Sequence, residues 1–352
     1  MIIHAAPLEP RRYHVAKYAA TILHAGQGSV LDWQFAVAKS AALSADLVEF
    51  LRSLAAPLLH VNHVQTIGFA GRLHRILKTR NTTIPVIVET HDIQSQLMRE
   101  VRELNPWTKQ PDSFKRMVRS EKSLLKKADV LVHLSVDDIE FFRRELPELR
   151  QFLVLPTINE KFVADVKSAT PLRDSIDLLF VGQNHGPNVA GMKWFLEQVW
   201  PLLEEKQYKL SIVGPVANLF ENQLPKLFDL FRSKFVGEVT DLAPYYRSAR
   251  CVIAPMVSGS GTSIKTIEAL ALGVPFVGTS LAFRGMPTER IRMAGLQSHD
   301  TPSDFANAIV DALADTHLYS ERNRSVYEQL FSVEANFAAR DNVVAAATSG
   351  RT

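Results

Sequence analysis

Short apolar runs alternate with longer amphipathic stretches along most of the chain, and this alternation restricts the fold more than any other feature. Runs typical of buried strands lie at residues 58–63, 86–89, 128–135, 153–156, 176–182, 209–214, 235–239, 251–256 and 276–279. Between them, apolar residues at helical spacing predict helices, for example at 136–145, 188–203 and 302–314. Strands that alternate with helices in this way favour an α/β fold with a parallel sheet covered on both faces. At 352 residues the chain is long enough for two such domains.

The stretch 251–280 carries the clearest functional signal. It predicts a buried strand, a loop of small residues at 258–262, a short helix and a second apolar strand. Gly273 stands where a C-cap glycine would end this helix, and Pro275 prevents the helix from continuing.

Two charged residues follow the small-residue loop on one face of the predicted helix. Lys265 and Glu268 are three residues apart, near an N-terminus whose backbone N–H groups and dipole suit a phosphate. Glycines at 259 and 261 let a ligand approach the backbone, and Glu268 can accept hydrogen bonds from the vicinal hydroxyls of a ribose. The pattern predicts a site for a nucleoside diphosphate. An ordinary strand–loop–helix unit with a surface ion pair between the two side chains fits the spacing equally well.

The run GSGTSIKTIEALALGVPFV resembles the donor-binding segment of GT-B glycosyltransferases, specifically glycosyltransferase family four. The resemblance implies that Glu268 contacts the nucleotide ribose and that Lys265 holds the diphosphate. It also implies donor binding by the loop residues Gly259, Ser260, Gly261, Thr262 and Ser263. The first glutamate of the family's E-x7-E pair is missing, because Ser260 occupies that position, and we interpret this as a difference between branches.

A second stretch, FVGQNHGPNVAGMKWF, resembles the opening of the family's donor domain. The resemblance places Gly182, Gln183 and His185 in a loop that points at the donor. Many family members have an arginine near Gln183, so its absence gives Lys265 a larger share of diphosphate binding. An ordinary surface loop is the alternative for His185, and Asn188 is predicted to cap the following helix.

The first domain resembles the family less closely. VETHDIQSQ followed by SEKSLLKKADVLVHLS is similar to the family's central segment, and by resemblance His91 lies near the transferred sugar as a catalytic residue. A structural role is the alternative for a lone histidine at a strand end. Before residue 84 the resemblance is weak, and we expect either a start upstream of residue 1 or an abbreviated first domain.

Composition excludes several classes of protein. Hydrophobic residues make up 46% and charged residues 22%, which is typical of a globular domain. The single cysteine, Cys251, lies in an apolar strand, which excludes an internal disulfide and fits a reducing compartment. No run is long enough to span a bilayer, no signal peptide is recognisable, and the net charge of +3 does not argue for nucleic acid. We therefore expect a cytoplasmic protein.

One tract departs from this mild charge. Between residues 99 and 127 there are nine Lys or Arg and four acidic residues, a surplus of five. The tract predicts either a solvated helix face or a peripheral contact with anionic lipid at the inner face of the membrane.

The resemblance implies two Rossmann-like domains facing across a cleft. The expected limits are 1–160 for the acceptor-side domain, 161–175 for an irregular linker, 176–332 for the donor domain and 333–352 for a C-terminal helix that returns to the first domain. No D-x-D motif occurs, so neither a metal site nor a cofactor is expected beyond the nucleotide-sugar donor. The implied activity is retaining transfer of a sugar to a glycan or lipid-linked acceptor, in surface polysaccharide or glycoconjugate biosynthesis. A catalytically silent donor-binding or partner subunit and a sugar-nucleotide epimerase are the alternatives.

Overall fold

The computed structural model describes residues 58–68, 70, 71, 73, 84–97, 114–259 and 261–349, together with Glu49 and Ser53. Contacts between residues divide the chain into two units. The first comprises Met1–Val154 and Ala339–Thr352, and the second comprises Leu155–Ala338. The predicted abbreviation of the first domain concerns residues outside the described ones.

Four parallel strands form the sheet of the first unit, in the order β1-β2-β3-β4 within the described residues. They are β1 (Leu59–Asn62), β2 (Val86–Thr90), β3 (Val130–His133) and β4 (Arg150–Leu153). β2 and β3 are buried along their whole length, as expected for central strands covered on both faces. β4 begins three residues earlier than the strand predicted at 153–156. The predicted position was wrong because β4 pairs with β3 through Arg150–Leu153, and because Pro156 has no N–H to donate to a neighbouring strand.

Helices cover both faces of this sheet. α1 (Phe114–Leu125) packs Met117 and Leu124 into the cluster that holds Val88 and Leu131. α2 (Val136–Glu145) has the predicted bounds, and its N-cap residue Ser135 accepts a hydrogen bond from the Asp138 N–H. On the opposite face, Ile87 and Val132 pack with residues from the C-terminal end of the chain.

Five parallel strands form the sheet of the second unit, in the order β7-β6-β5-β8-β9. They are β5 (Ile176–Val181), β6 (Leu210–Val213), β7 (Phe235–Gly237), β8 (Ala249–Ala254) and β9 (Phe276–Gly278). Leu178 and Phe180 belong to one apolar cluster, whereas their neighbour Leu179 belongs to the other. The sheet therefore has a core on each face, as the near-continuous apolar strands predict.

Between α2 and the last helix of the chain, the described residues form nine α-helices. They are α3 (Glu160–Ser168), α4 (Gly186–Trp194), α5 (Val216–Gln223), α6 (Pro225–Phe231), α7 (Ala243–Ser248), α8 (Ile264–Leu272), α9 (Thr288–Met293), α10 (Pro302–Ala314) and α11 (Thr316–Leu330). The helix predicted at 188–203 is α4 continued by a π-helical turn and a 3₁₀ segment up to Lys206. α10 has the predicted bounds.

The prediction of an irregular linker at 161–175 was wrong for its first half. Asn159 caps α3 by accepting a hydrogen bond of 2.9 Å from the Lys161 N–H. Phe162, Val163 and Val166 pack into the core of the second unit. Their apolar spacing forms a helical face that is one turn and a half long, too short to stand out in the sequence. The other predicted domain limits stay predictions.

The last helix, α12 (Val333–Thr348), belongs to both units. Its residues up to Ala338 are part of the second unit, and those from Ala339 onward are part of the first. Val343 and Ala347 pack against Ile87 and Val132 of the first sheet. Among the described helices, none combines the length and apolarity that crossing a bilayer requires.

Candidate functional site

The loop between β8 and α8 has the conformation that its small residues suggest. Gly259 has a φ of +120° and Gly261 a φ of +67°, values that favour glycine. α8 begins after Ser263 without a side-chain capping hydrogen bond, and it ends at Gly273 in the left-handed conformation. The predicted helix and its C-cap are confirmed. The start of α8, where helix N–H groups lack partners within the helix, directly follows the glycine loop, and an anion bound at this loop would meet them.

Three segments of the second unit meet at this loop. A Cβ atom at Gly259 would lie 3.4 Å from Cβ of Pro187 and 3.6 Å from Nη2 of Arg284. Pro187 lies in the first turn of α4, which follows β5, and Arg284 follows β9. The carboxyl ends of three parallel strands therefore supply the surroundings of one loop, which is where α/β sheets bind ligands.

Lys265 points at this junction and is held by neutral groups. Its Nζ donates a hydrogen bond of 2.6 Å to Oδ1 of Asn188 and lies 4.6 Å from the centre of the Phe180 ring. The Asn188 amide in turn donates to the Gln183 carbonyl at 2.8 Å. The predicted capping role of Asn188 was wrong, because His185 occupies the N-cap position and the buried Asn188 amide is used to fix Lys265.

The electrostatic setting of Lys265 favours an anionic ligand. Burial and, as a smaller effect, the positive charge of Arg284 lower the pKa of Lys265 to about 8, while the charge of Glu268 acts in the opposite direction. Lys265 and Arg284 lie near the same glycine loop and repel each other, and a bound diphosphate would relieve that repulsion.

Glu268 has a different partner, on α7. The hydroxyl of Tyr246 donates a hydrogen bond of 2.8 Å to Oε2 of Glu268. Burial raises the pKa of Glu268, and the Tyr246 hydrogen bond and the charge of Lys265 only partly oppose this. An ordinary strand–loop–helix unit would pair Lys265 with Glu268 on the surface. In the structure each of the two side chains instead makes its hydrogen bond with a neutral side chain.

The other predicted donor-binding residues differ in how far they are buried. Gly182 is buried, and a Cβ there would lie 2.7 Å from Cε1 of Phe180, so this glycine is needed for packing. Gln183 and His185 are exposed in the β5–α4 connection, whereas Ser263 is buried and Thr262 is half-buried. Ser260 lies outside the described residues. Donor contacts by these residues stay predictions.

Sequence reasoning missed Tyr246 and Arg284 as residues of this site. Arg284 could have been found from its position shortly after β9, at the carboxyl end of the neighbouring strand. Tyr246 gave no signal, since a tyrosine in a short apolar helix is an ordinary core residue.

His91 lies in the first unit, directly after β2, in a group of five residues that we call the Glu89 cluster: Glu89, His60, His63, His91 and Arg340. Oε2 of Glu89 lies 2.9 Å from Nη1 of Arg340 and 3.2 Å from Nε2 of His60. Burial raises the pKa of Glu89, but hydrogen bonds from His60 and Arg340 and the charge of Arg340 outweigh it and lower the value to about 2.

The His91 side chain has no hydrogen bond within this cluster. Its ring stacks on His63 with centroids 4.0 Å apart, and its buried Nε2 lies 3.6 Å from Oε1 of Glu89, too far for a hydrogen bond. Elsewhere in the described part of the chain, as here, no three His, Cys, Asp or Glu side chains are arranged to hold a metal ion.

Two comparisons with solved structures define the class of this fold. The chain is similar to sucrose-phosphate synthase from Thermosynechococcus elongatus, with a TM-score of 0.59 and 18% identity over 90% of this chain and 78% of that one. It is also similar to Anabaena HepE in complex with UDP, with a TM-score of 0.59 and 14% identity over 86% of this chain and 81% of that one. The chain has the GT-B type of fold, as predicted.

A family model matches most of the second unit. Residues 175–315 match the family model of "Glycosyl transferases group 1", and the predicted resemblance is confirmed. A Klebsiella pneumoniae relative, an uncharacterized 44.6 kDa protein in the cps region, is 28% identical over 120 residues. That match spans 32% of this chain and 31% of the relative.

Proposed function

We propose that this chain is a glycosyltransferase that binds a nucleoside-diphosphate sugar in its second unit and moves the sugar to a glycan or lipid-linked acceptor. The observation that carries the proposal is the separation of Lys265 from Glu268. Each is held by a neutral partner, at 2.6 Å and 2.8 Å respectively, although they share one turn of α8. A half-buried ammonium without a carboxylate partner suits a diphosphate, and the separate carboxylate suits the ribose hydroxyls.

The same groups would assist departure of the nucleoside diphosphate. During transfer the bond between the anomeric carbon and the phosphate oxygen breaks, and a bond to the acceptor oxygen forms. Lys265, Arg284 and the N–H groups at the start of α8 would stabilise the charge that develops on the leaving phosphate. A leaving phosphate oxygen would take the acceptor's proton on the same face of the sugar, which gives retention without a protein nucleophile. Since these groups supply the positive charge, we propose that no metal ion is required.

We assign His91 a catalytic role at the transferred sugar. Its buried Nε2 has no hydrogen-bond partner and lies at the carboxyl end of a parallel strand. His91→Ala should lower kcat for transfer while the dissociation constant of the nucleoside diphosphate changes little. An equal loss of diphosphate affinity would contradict this assignment.

The names of two similar proteins support a role in polysaccharide synthesis with a nucleotide-sugar donor. HepE was solved in complex with UDP and with UDP-glucose, and the Klebsiella relative is named after a cps region. We propose that this chain takes part in surface polysaccharide or glycoconjugate biosynthesis.

The proposal is tested first by ligand binding. Thermal shifts with UDP, GDP, ADP and CMP should identify a nucleoside diphosphate that raises the unfolding temperature, since a ligand stabilises the state that binds it. Lys265→Ala should weaken that diphosphate by roughly 10- to 100-fold and leave the nucleoside unaffected, whereas Lys193→Ala, an exposed lysine of α4, should bind as wild type does. Glu268→Gln should instead weaken the ribose-bearing part.

Turnover then separates the enzyme from its alternatives. Incubation with the matching nucleotide sugar and a chelator should release nucleoside diphosphate and transfer the sugar with its anomeric configuration retained. Binding without transfer or hydrolysis would identify a silent subunit, and conversion of the donor to another sugar would identify an epimerase. A strict requirement for Mg²⁺ or Mn²⁺ would remove the metal-free account.

A further inference from the structure

Tyr246 is a buried tyrosine whose hydroxyl is not needed for packing. Its side chain is 1% exposed, and its ring packs edge-to-face on Phe162 of α3 with centroids 5.7 Å apart. Leu179, Val252 and Ile267 belong to the same apolar cluster. A phenylalanine would bury the same ring without requiring a hydrogen-bond partner for a phenol. The hydroxyl therefore points to a role beyond the core.

The only hydrogen bond that the structure gives this hydroxyl, within the described residues, is the one to Oε2 of Glu268 at 2.8 Å. It fixes one oxygen of the carboxylate and so limits rotation of the group. In the described part of the chain no hydrogen bond occupies Oε1, which is left as an acceptor. One oxygen is thus anchored, and the other is available at the candidate donor site.

The contact also affects the charge of Glu268. Two groups face its carboxylate: Tyr246 from α7 and Lys265 from one turn earlier on α8. Burial raises the pKa of Glu268, and both neighbours act against that shift. A donor hydrogen bond favours the ionised form, which accepts from a sugar hydroxyl more strongly than a carboxylic acid does.

We propose that Tyr246 is a positioning residue for the donor nucleotide, which holds the Glu268 carboxylate so that its second oxygen accepts a hydrogen bond from the ribose. This inference rests on the proposed function and adds a specificity to it. A ligand without the 2′-hydroxyl would leave a half-buried carboxylate with fewer partners, which is costly. The site should therefore prefer ribonucleotides to 2′-deoxyribonucleotides, and the preference should depend on Tyr246.

The test compares Tyr246→Phe with Tyr245→Phe, the adjacent half-buried tyrosine of the same helix. Calorimetry would use UDP, GDP and ADP together with their 2′-deoxy counterparts, and thermal unfolding would confirm that both variants fold. Tyr246→Phe should weaken the ribonucleotide by about tenfold, the effect of one hydrogen bond to a charged group. Its affinity for the 2′-deoxy form should stay within about twofold, so the preference largely disappears. Tyr245→Phe should keep it.

Two further readouts separate positioning from a structural role. In Tyr246→Phe the ribonucleotide affinity should begin to fall at a higher pH than in wild type as the solution is acidified, because Glu268 loses a group that favours its ionised form. In a Glu268→Gln background, Tyr246→Phe should cause no further loss of preference. Equal weakening of ribo and deoxy forms, or an unmoved pH profile, would overturn the proposal.

The two levels of inference fail in different ways. If wild type binds diphosphates through Lys265 but shows no preference for ribose, the role of Tyr246 is wrong and the proposed function stands. If wild type binds none of the diphosphates, both are wrong.

Discussion

Glu89 in β2 of the first unit and Glu268 in α8 of the second are both shielded carboxylates, but their charges are balanced in opposite ways. Glu89 lies within 3.2 Å of both Arg340 and His60, and its pKa is lowered to about 2. Glu268 has a tyrosine hydroxyl as its hydrogen-bond donor, and its pKa is raised by burial.

The cations differ in the same way. Arg340 contacts a carboxylate, whereas Lys265 contacts an amide and an aromatic ring and has its pKa lowered to about 8. Glu89 and Arg340 therefore satisfy most of each other's charge, as a structural ion pair does. At the Lys265 site the positive charge has no carboxylate as a hydrogen-bond partner and is available to a ligand. Ionisable groups whose pKa is shifted by burial in this way are typical of functional sites.

The largest effect is expected from breaking the ion pair between Glu89 and Arg340. Arg340→Met would leave Glu89 buried with His60 as its remaining hydrogen-bond donor, and we expect a loss of about 2–3 kcal/mol in the free energy of unfolding. Urea unfolding followed by circular dichroism would measure it, with hydrogen exchange in β2 and β3 to locate the change. Asn342→Ala, an exposed change on the same helix, is the control. A loss no greater than that of the control would contradict the interpretation.

The pH dependence of this stability has a defined sign. The pKa of Glu89 is lowered from 4.5 to about 2, so its stabilisation is present above pH 4.5 and is lost as the pH falls towards 2. A shift of this size corresponds to about 3 kcal/mol. The difference between Arg340→Met and wild type should shrink over the same range.

At the Lys265 site, loss of the cation should change the free energy of unfolding in the opposite direction. Lys265→Met removes a half-buried charge that has an amide and not a carboxylate as its hydrogen-bond partner, so we expect the ligand-free protein to gain about 1–2 kcal/mol of stability. The same change should weaken the nucleoside diphosphate by roughly 1.5–3 kcal/mol. Thermal unfolding and calorimetry measure the two quantities, with Lys193→Met as the control. A variant that is less stable than wild type would show that the lysine is structural.

A smaller effect is expected from titrating Lys265 itself. Its ammonium is charged below a pKa of about 8 and becomes neutral above it. Diphosphate affinity should therefore fall up to tenfold per pH unit above about pH 8, whereas near pH 7 both the lysine and the terminal phosphate are charged. Binding should also take up protons near pH 8, because the diphosphate raises the pKa of Lys265. Calorimetry in buffers of different ionisation enthalpy would detect this uptake, and its absence would contradict the assigned pKa.

The smallest effect concerns the basic tract at residues 99–127, of which the structure describes 114–127. Some of its lysines form ion pairs within the protein, and other basic residues are exposed to solvent. Lys122 and Lys126 pair with Glu145 and Glu148 at 2.7 Å and 3.0 Å, so they are engaged within the protein. Lys115 and Arg119 are exposed on one face of α1. We propose that they contribute to a peripheral contact with anionic lipid, worth about 1 kcal/mol per charge at most.

Vesicle co-sedimentation tests this contact. Changing Lys115 and Arg119 to Gln should reduce pelleting with anionic vesicles at low salt, and high salt should abolish pelleting of the wild type. The matched control changes Lys206 and Lys226 of the second unit, which are exposed and lower the net charge equally. If both double variants pellet alike, α1 is not the contact.

The sequence was most informative where structure depends on neighbouring residues. Strand–helix alternation predicted both sheets, and the bounds of α2 and α10 were predicted correctly because capping residues and apolar spacing are local. The glycine loop, Lys265 and Glu268 could be selected together for the same reason, since they lie within ten residues of each other, and their contacts with a donor stay predictions.

What the sequence could not predict depends on contacts between distant residues. Asn188 is 77 positions from Lys265, and Tyr246 is 22 positions from Glu268. No spacing rule relates them, and only the packing of α4 and α7 on the sheet brings them together. The partner of Glu89 is further still, since Arg340 is 251 positions away.

The course of α12 has a consequence for how the protein is made. The first unit takes Val343 and Ala347 into its core, and these residues are translated only after the whole second unit. Domains commonly fold in order as they leave the ribosome, the N-terminal one first. Here the second unit can close its core while the first still lacks the helix that covers one face of its sheet. During synthesis, Ile87 and Val132 therefore lack their contacts with Val343 and Ala347 until the final helix docks, and the unit translated first is completed last.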